Sequence, residues 1–382
     1  MMWSWGANNS GQLGLGNHDD QIVPSICVPL PALEESDDFK QAGGGGGYSY
    51  ILTKSGKVLT CGNNDRGQLG HGDKHSLMVF SLSQRLTAFK MVQIAAGWDF
   101  MLGLTDGGQL LSWGSNSFGQ LGRLAAESSN ELVPGEVSGF KDSKIVAVAA
   151  GLRHAISLTE SGQVYTWGNG RKGQLGCVEA DGNPLQKTQN PILVQFPQRE
   201  IVVCVTAGMY HSGISTDAGN IHVWGCNKYG QCSADPKDSS VFLNPHVVFL
   251  PVKEQAEGSK IVALTSGWTH LIARTASGDL YSWGRGDLGQ LGRKCEQSYD
   301  YKPKQIVGLH HVKSQFCGSE HNLALTDDNN VYSWGWNEHG ICGTGDEQNV
   351  MYPTKVPAFI ACSVVAIGCG TGHSFCYAKD TH

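Results

Sequence analysis

The chain has 382 residues, a formal net charge of −6 and 16% charged residues. That balance gives no electrostatic reason to hold a polyanion, so nucleic acid is not expected as a partner. No apolar run approaches the roughly 20 residues of a membrane-spanning helix. Met1-Met-Trp-Ser-Trp5 enters a strand pattern at once, so no secretory leader is expected. Twelve cysteines show neither a Cys-x-x-Cys pair nor zinc spacing, so no metal is expected. Reduced thiols and a cytoplasmic location are the expectation, with the nucleus as a second compartment.

In chain order, the first landmark is Trp5-Gly6. Next come five glycines, Gly43 to Gly47, then Tyr48, and thirteen residues later Cys61-Gly62. The same interval of thirteen separates Phe100 from Trp113, His154 from Trp167, His211 from Trp224, His270 from Trp283 and His321 from Trp334. His373 closes the series with no tryptophan after it. Each half of the motif, Gly-x-x-His and Trp-Gly, therefore occurs seven times, with a period of 51 to 59 residues. A fixed period of this size signals a repeat architecture, here longer than the roughly 40–45 residues of WD-type blades.

One repeat reads entirely as strand. Residues 144–150, 154–159 and 163–167 are short runs rich in Val, Ile, Tyr and Trp, bounded by glycine. Five residues before each landmark stands Gly56, Gly108, Gly162, Gly219, Gly278 or, in the sixth case, Asn329. These residue types tolerate positive φ, which marks a hairpin turn. About twenty residues after each tryptophan of the series a fourth strand carries Pro24, Pro134, Pro191, Pro245, Pro303 or Pro353. Proline cannot donate to a ladder, so these are edge strands. The expected fold is all-β: one domain over residues 1–382, a seven-bladed β-propeller of four-stranded antiparallel blades. The orphan halves at Trp5 and His373 imply that the N-terminal strand completes the C-terminal blade and closes the ring.

The repeating residues read as structural: Trp5, Trp113, Trp167, Trp224, Trp283 and Trp334 between blades, and His154, His211, His270, His321 and His373 bonded within their own blades. Gly168-Asn-Gly-Arg-Lys-Gly173 and Gly284-Arg-Gly-Asp-Leu-Gly289 match a dinucleotide pattern. Both fall inside the repeat and lack the strand–turn–helix setting that a phosphate needs. The glycine run lacks the Lys-Ser/Thr of a phosphate loop. No nucleophile–base pair stands out, so neither a catalytic residue nor a cofactor is expected. The informative residues are those that vary inside the repeat. Trp98, Asp99, Arg153, Tyr210, Trp268, Thr269 and Glu320 sit between the Gly and the His, on turns that share one face. Rigid scaffolds carry function on such loops, and Trp, Tyr and Arg are enriched at binding hot spots. This face is the expected partner surface.

The pattern of Gly-x-x-His with Trp-Gly-x-Asn-x-x-Gly-Gln-Leu-Gly resembles the regulator of chromosome condensation family over essentially the whole chain. Gly97-Trp-Asp-Phe100, Ser115-Asn-Ser-Phe-Gly-Gln-Leu-Gly122, Ser266-Gly-Trp-Thr-His270 and Trp334-Gly-Trp-Asn-Glu-His339 are closest to a branch linked to secretion. The resemblance implies guanine nucleotide exchange on a small GTPase, by protein binding and without covalent chemistry. It also implies contact with the exocytic tethering machinery, through an exocyst component. A monomer is expected. Reversing a 99:1 equilibrium takes about 5.5 kcal/mol of differential binding, which calls for a specific constellation on one face. In the founding member, acidic and histidine exchange residues lie in the Gly-x-x-His turns. This chain has Trp98, Arg153 and Thr269 there, with Asp99 displaced by one position. The alternative reading is a scaffold of the same fold without exchange activity.

Overall fold

Each repeat folds into one four-stranded antiparallel sheet, and the sheets form a ring of seven blades. The computed structural model describes residues 1–27, 37–124, 129–141, 143–196, 200–251, 258–360 and 362–379. Blade 1 is typical: Phe39–Gly44 is innermost, followed outward by Tyr48–Thr53, Val58–Gly62 and Leu77–Leu82. Blades 2 to 6 repeat this order along the chain. In blade 7 the inner strands are Ser363–Cys369 and His373–Lys379, and the outer two are Met2–Gly6 and Gln21–Ile26. Met2 pairs with Tyr377 and Gly6 with His373, so the two ends of the chain share one sheet.

The hairpin glycines Gly56, Gly108, Gly162, Gly219 and Gly278 have φ between 80 and 92°, and Asn329 has φ 62°. The left-handed backbone is what selects these residue types. All six prolines of the repeat fall on outermost strands.

The core lies between blades. One cluster joins Phe100, Leu102 and Leu104 of blade 2 to Tyr165 and Trp167 of blade 3. All six landmark tryptophans are fully buried. Five of them donate their indole N–H to the glutamine carbonyl of the preceding blade's Gly-Gln-(Leu/Cys)-(Gly/Ser) loop. Trp113 bonds Gln68 O at 2.9 Å, and Trp167, Trp224, Trp283 and Trp334 bond the carbonyls of Gln120, Gln174, Gln231 and Gln290. The last glycine of that loop leaves room for the indole: a Cβ on Gly70 would sit 2.9 Å from Trp113 Nε1.

The recurring histidines depart from the expectation of bonds within the blade. His154 Nε2 lies 3.0 Å from Ser212 Oγ of the next blade. His211 reaches Ser266, His270 reaches Asn322 Oδ1, His321 reaches Ser374 and His373 reaches Ser49, at 2.6 to 3.1 Å. Each imidazole therefore ties two blades together. A serine or asparagine in the neighbouring strand supplies the partner, so one blade alone cannot satisfy the ring.

Blade 1 departs from the repeat at its tryptophan. Cys61 stands there, and its thiol donates to Gln12 O at 3.4 Å, the carbonyl equivalent to the tryptophan acceptors elsewhere. The missing ring volume comes from Phe80 on the outer strand, 2% exposed, at the register position that holds proline in the other blades. A Cβ on Gly14 would meet Phe80 Cδ2 at 2.4 Å, where the matching glycines meet tryptophan.

Candidate partner-binding face

The Gly-x-x-His turn joins the inner strand of each blade to its second strand, and the Trp-Gly loop leaves its third strand on the same side. Contacts between the two sets confirm that they share a face. The Arg153 guanidinium of one turn lies 4.7 Å above the Phe118 ring of the preceding blade's loop. The Glu320 carboxylate of another turn accepts from Gln290 Nε2 at 2.8 Å.

At the centre the turns are stitched together by main-chain bonds. Gly46 N–H donates to Trp98 O, Trp98 N–H to Leu152 O, Met209 N–H to Trp268 O, Trp268 N–H to Ser319 O and Ser319 N–H to Thr371 O, at 2.7 to 3.2 Å. Thr371 Oγ1 closes the seam on Gly45 O at 2.7 Å. The backbone of this face is thereby fixed before any partner arrives, which lowers the ordering cost of binding.

The seam surrounds a channel of about 280 Å³ lined by the inner strands. Trp98 of blade 2 and Trp268 of blade 5 come from opposite sides of the ring and meet at its mouth, with ring centroids 5.6 Å apart and planes inclined by 51°. Trp98 remains 37% exposed. The five-glycine run takes its meaning here. A Cβ on Gly46 would lie 2.7 Å from the Trp98 indole, and one on Gly45 would lie 2.0 Å from Gly97 O. Blade 1 gives up its side chains so that the Trp98 ring can lie flat on it.

The other predicted face residues divide by exposure. Arg153 and Tyr210 are half-buried in the rim. Asp99 is also half-buried. Burial pushes its carboxyl pKa up, and Arg153, Ser115, Arg66 and Gln120 draw it partly back. Thr269 and Glu320 are only 8% and 6% exposed. The Thr269 hydroxyl donates to Glu320, with oxygens 2.7 and 2.8 Å away. Burial raises the Glu320 pKa against the lowering effect of Thr269, Gln290 and Arg285. These two residues sit beneath the face and shape it through Arg285, which is gripped by Asp287 at 2.6 Å and lies 4.0 Å from Glu320. Nothing in the sequence distinguished Thr269 and Glu320 from the open positions, because the residues that cover them come from neighbouring blades. Phe118 and Tyr229, which carry stacked cations, were missed as well. Both follow the Asn of a Trp-Gly-x-Asn loop or its neighbour, so their place on the face was there to be read.

Among the described residues, no cluster of His, Cys, Asp and Glu could hold a metal ion, and no helix is long and apolar enough to cross a membrane. All twelve cysteines are free.

Residues 1–376 match the family described as the RCC1-like domain. The chain is 38% identical over 409 residues to the secretion-regulating guanine nucleotide exchange factor of Mus musculus, spanning 98% of this chain and 82% of that protein. It is 32% identical over 360 residues to the ultraviolet-B receptor UVR8 of Arabidopsis thaliana, spanning 93% and 77%. The crystal structure of Prp20p from Saccharomyces cerevisiae, reported with that protein's binding to Gsp1p and histones, superposes with a TM-score of 0.86 at 26% identity. That match covers 100% of this chain and 92% of Prp20p.

Proposed function

The chain belongs to the RCC1-like domain family, and from that premise we propose that it regulates a small GTPase by binding it through the Gly-x-x-His face. The observation that carries this reading is the match along nearly the whole chain to a secretion-regulating guanine nucleotide exchange factor. The fixed seam of turns and the exposed Trp98 support the choice of face. On this reading the protein acts as a monomer in the cytoplasm, with an exocyst component as a further partner in secretion. Exchange would follow from tighter binding of the nucleotide-free GTPase, with no bond made or broken by this chain.

A platform without exchange activity is the second reading, and one observation favours it. The acidic side chain of the sixth turn, Glu320, is covered and committed to Thr269 and Gln290. It has no free oxygen to offer a nucleotide-binding loop. The test is release of a labelled guanine nucleotide from a panel of small GTPases, run beside capture of the same proteins. Faster release from one GTPase supports exchange. Capture without faster release supports the platform. Neither release nor capture from any GTPase rejects both.

A further inference from the structure

We propose that the rim of blades 2 to 4 is a docking notch for an acidic protein segment that also carries a large apolar side chain. The inference deepens the proposed function by naming the partner chemistry of the same face, and rests on that reading only for the identity of the partner.

The first observation is a group of neighbouring cations without ion pairs. Arg123, Arg285 and Arg293 each have a carboxylate within 4.0 Å: Glu131, Asp287 and Asp300. Arg153, Arg171, Lys172 and Lys228 have none among the described residues, although the chain as a whole is acidic. Arg171, Lys172 and Lys228 are exposed. They lie on the Trp-Gly loops of blades 3 and 4, beside the turn that carries Arg153.

The second observation is that these cations are placed without a counter-charge. Arg153 and Arg171 lie 4.7 and 6.0 Å from the centroid of one ring, Phe118. Lys228 lies 5.4 Å from Tyr229. Stacking on an aromatic plane holds a guanidinium in position and leaves its N–H edge free for a carboxylate. Arg153 Nε is covered and has no acceptor. Asp99 is close enough to feel Arg153, yet the two form no ion pair, and the covered Asp99 Oδ1 has no hydrogen-bond partner.

The third observation is the neighbour of the notch. Trp98 and Trp268 roof the channel mouth, with Leu152 lining it and Met209 N–H bonded to Trp268 O. An acidic strip laid across Arg171 and Lys172 would bring a large apolar side chain onto the exposed edge of Trp98. The loops of blades 3 and 4 balance Glu179, Asp181, Asp235 and Asp238 with Arg171, Lys172, Lys228 and Lys237, whereas those of blades 6 and 7 carry Asp19, Asp20, Glu338, Asp346 and Glu347 with no Lys or Arg, so the opposite rim repels the same strip. The face thus has a polarity that fixes which way an acidic partner lies.

The probe is a fluorescein-labelled peptide of alternating Glu and Asp with one central Trp, read by anisotropy at low salt against the full chain. Arg171→Glu with Lys172→Glu should weaken binding at least tenfold. A charge-matched control, Lys141→Glu with Lys260→Glu at the other ends of the blades, should stay within twofold of the native protein. Replacing the peptide's Trp by Ala should cost a further severalfold. Equal loss in both variants would mean bulk charge alone and overturn the proposal, as would no binding by the native chain. A single-stranded oligonucleotide that binds as tightly, with the same sensitivity to Arg171 and Lys172, would assign the notch to phosphate and also overturn it. The peptide experiment contains no GTPase, so peptide binding with no GTPase captured would leave the notch standing and remove only the proposed function.

Discussion

Five buried imidazoles set how the molecule responds to acid. Burial pushes His154 and His270 down to about 4, and His211, His321 and His373 down to about 3. Each is therefore neutral in the fold, while in the unfolded chain it would take a proton near pH 6.5. A depressed folded pKa contributes stability that is complete above about pH 6.5 and is lost as the pH falls toward the folded values. Each histidine then removes about 1.4 kcal/mol per pH unit in that window. Five acting together would exhaust a net stability of roughly 5–15 kcal/mol within one to three units. Acid unfolding followed by fluorescence should have its midpoint near pH 5, and the slope of stability against pH should approach five protons. A flat profile down to pH 4 would contradict the assignment. Exchanging one ring for a phenyl, which position 100 already carries, should be mild. His154→Phe leaves Ser212 with its bond to Gln174 O, so it should cost about 1 kcal/mol and remove one proton from the acid slope.

Within a blade, the exchange between the third and fourth strands of blade 1 shows how a repeat tolerates the loss of its main residue. Cys61 keeps the hydrogen bond of the missing tryptophan, and Phe80 keeps its volume. Phe80→Ala should therefore cost about 3–5 kcal/mol, as for any large buried aromatic. Cys61→Trp alone should also destabilise, because its indole would meet the Phe80 ring. Combined with Phe80→Pro it should recover most of that loss, since the pair then matches the other blades. Melting of the four proteins gives the cycle, and simple additivity would contradict the compensation. The repeat was legible at this scale because strands, hairpin glycines and edge prolines recur at fixed intervals. The filler was half legible: the sequence displays a cysteine in a tryptophan column and no proline after it, but the register that places Phe80 in the gap belongs to the folded sheet. The same limit applied to Thr269 and Glu320, whose covers come from other blades, and to the histidines, whose acceptors do too.

Across the whole molecule, the ring stands or falls on blade 7, where residues from both ends share one sheet. Trp5 is fully buried against Phe359, and Met2–Gly6 pairs along its length with His373–Lys379. Removing residues 1–6 should lower the melting temperature by roughly 10 °C or more, because a sheet loses its third strand, the one that pairs both with His373–Lys379 and with the edge strand, and the ring opens. An unchanged melting temperature would show that closure does not depend on this strand. Closure was readable from the two orphan half-repeats. The meeting of Trp98 and Trp268 was not, since three blades of chain separate them and only the curvature of the ring brings them together. That meeting place is the centre of the proposed partner surface. The most direct test is capture of the GTPase, or of whichever panel member the native chain binds, by Trp98→Ala with Trp268→Ala. The account predicts a melting temperature within a few degrees of the native protein and capture at least tenfold weaker, about 1.4 kcal/mol. Intact capture with a large fall in stability would make the two tryptophans a plug for the ring and contradict the binding face.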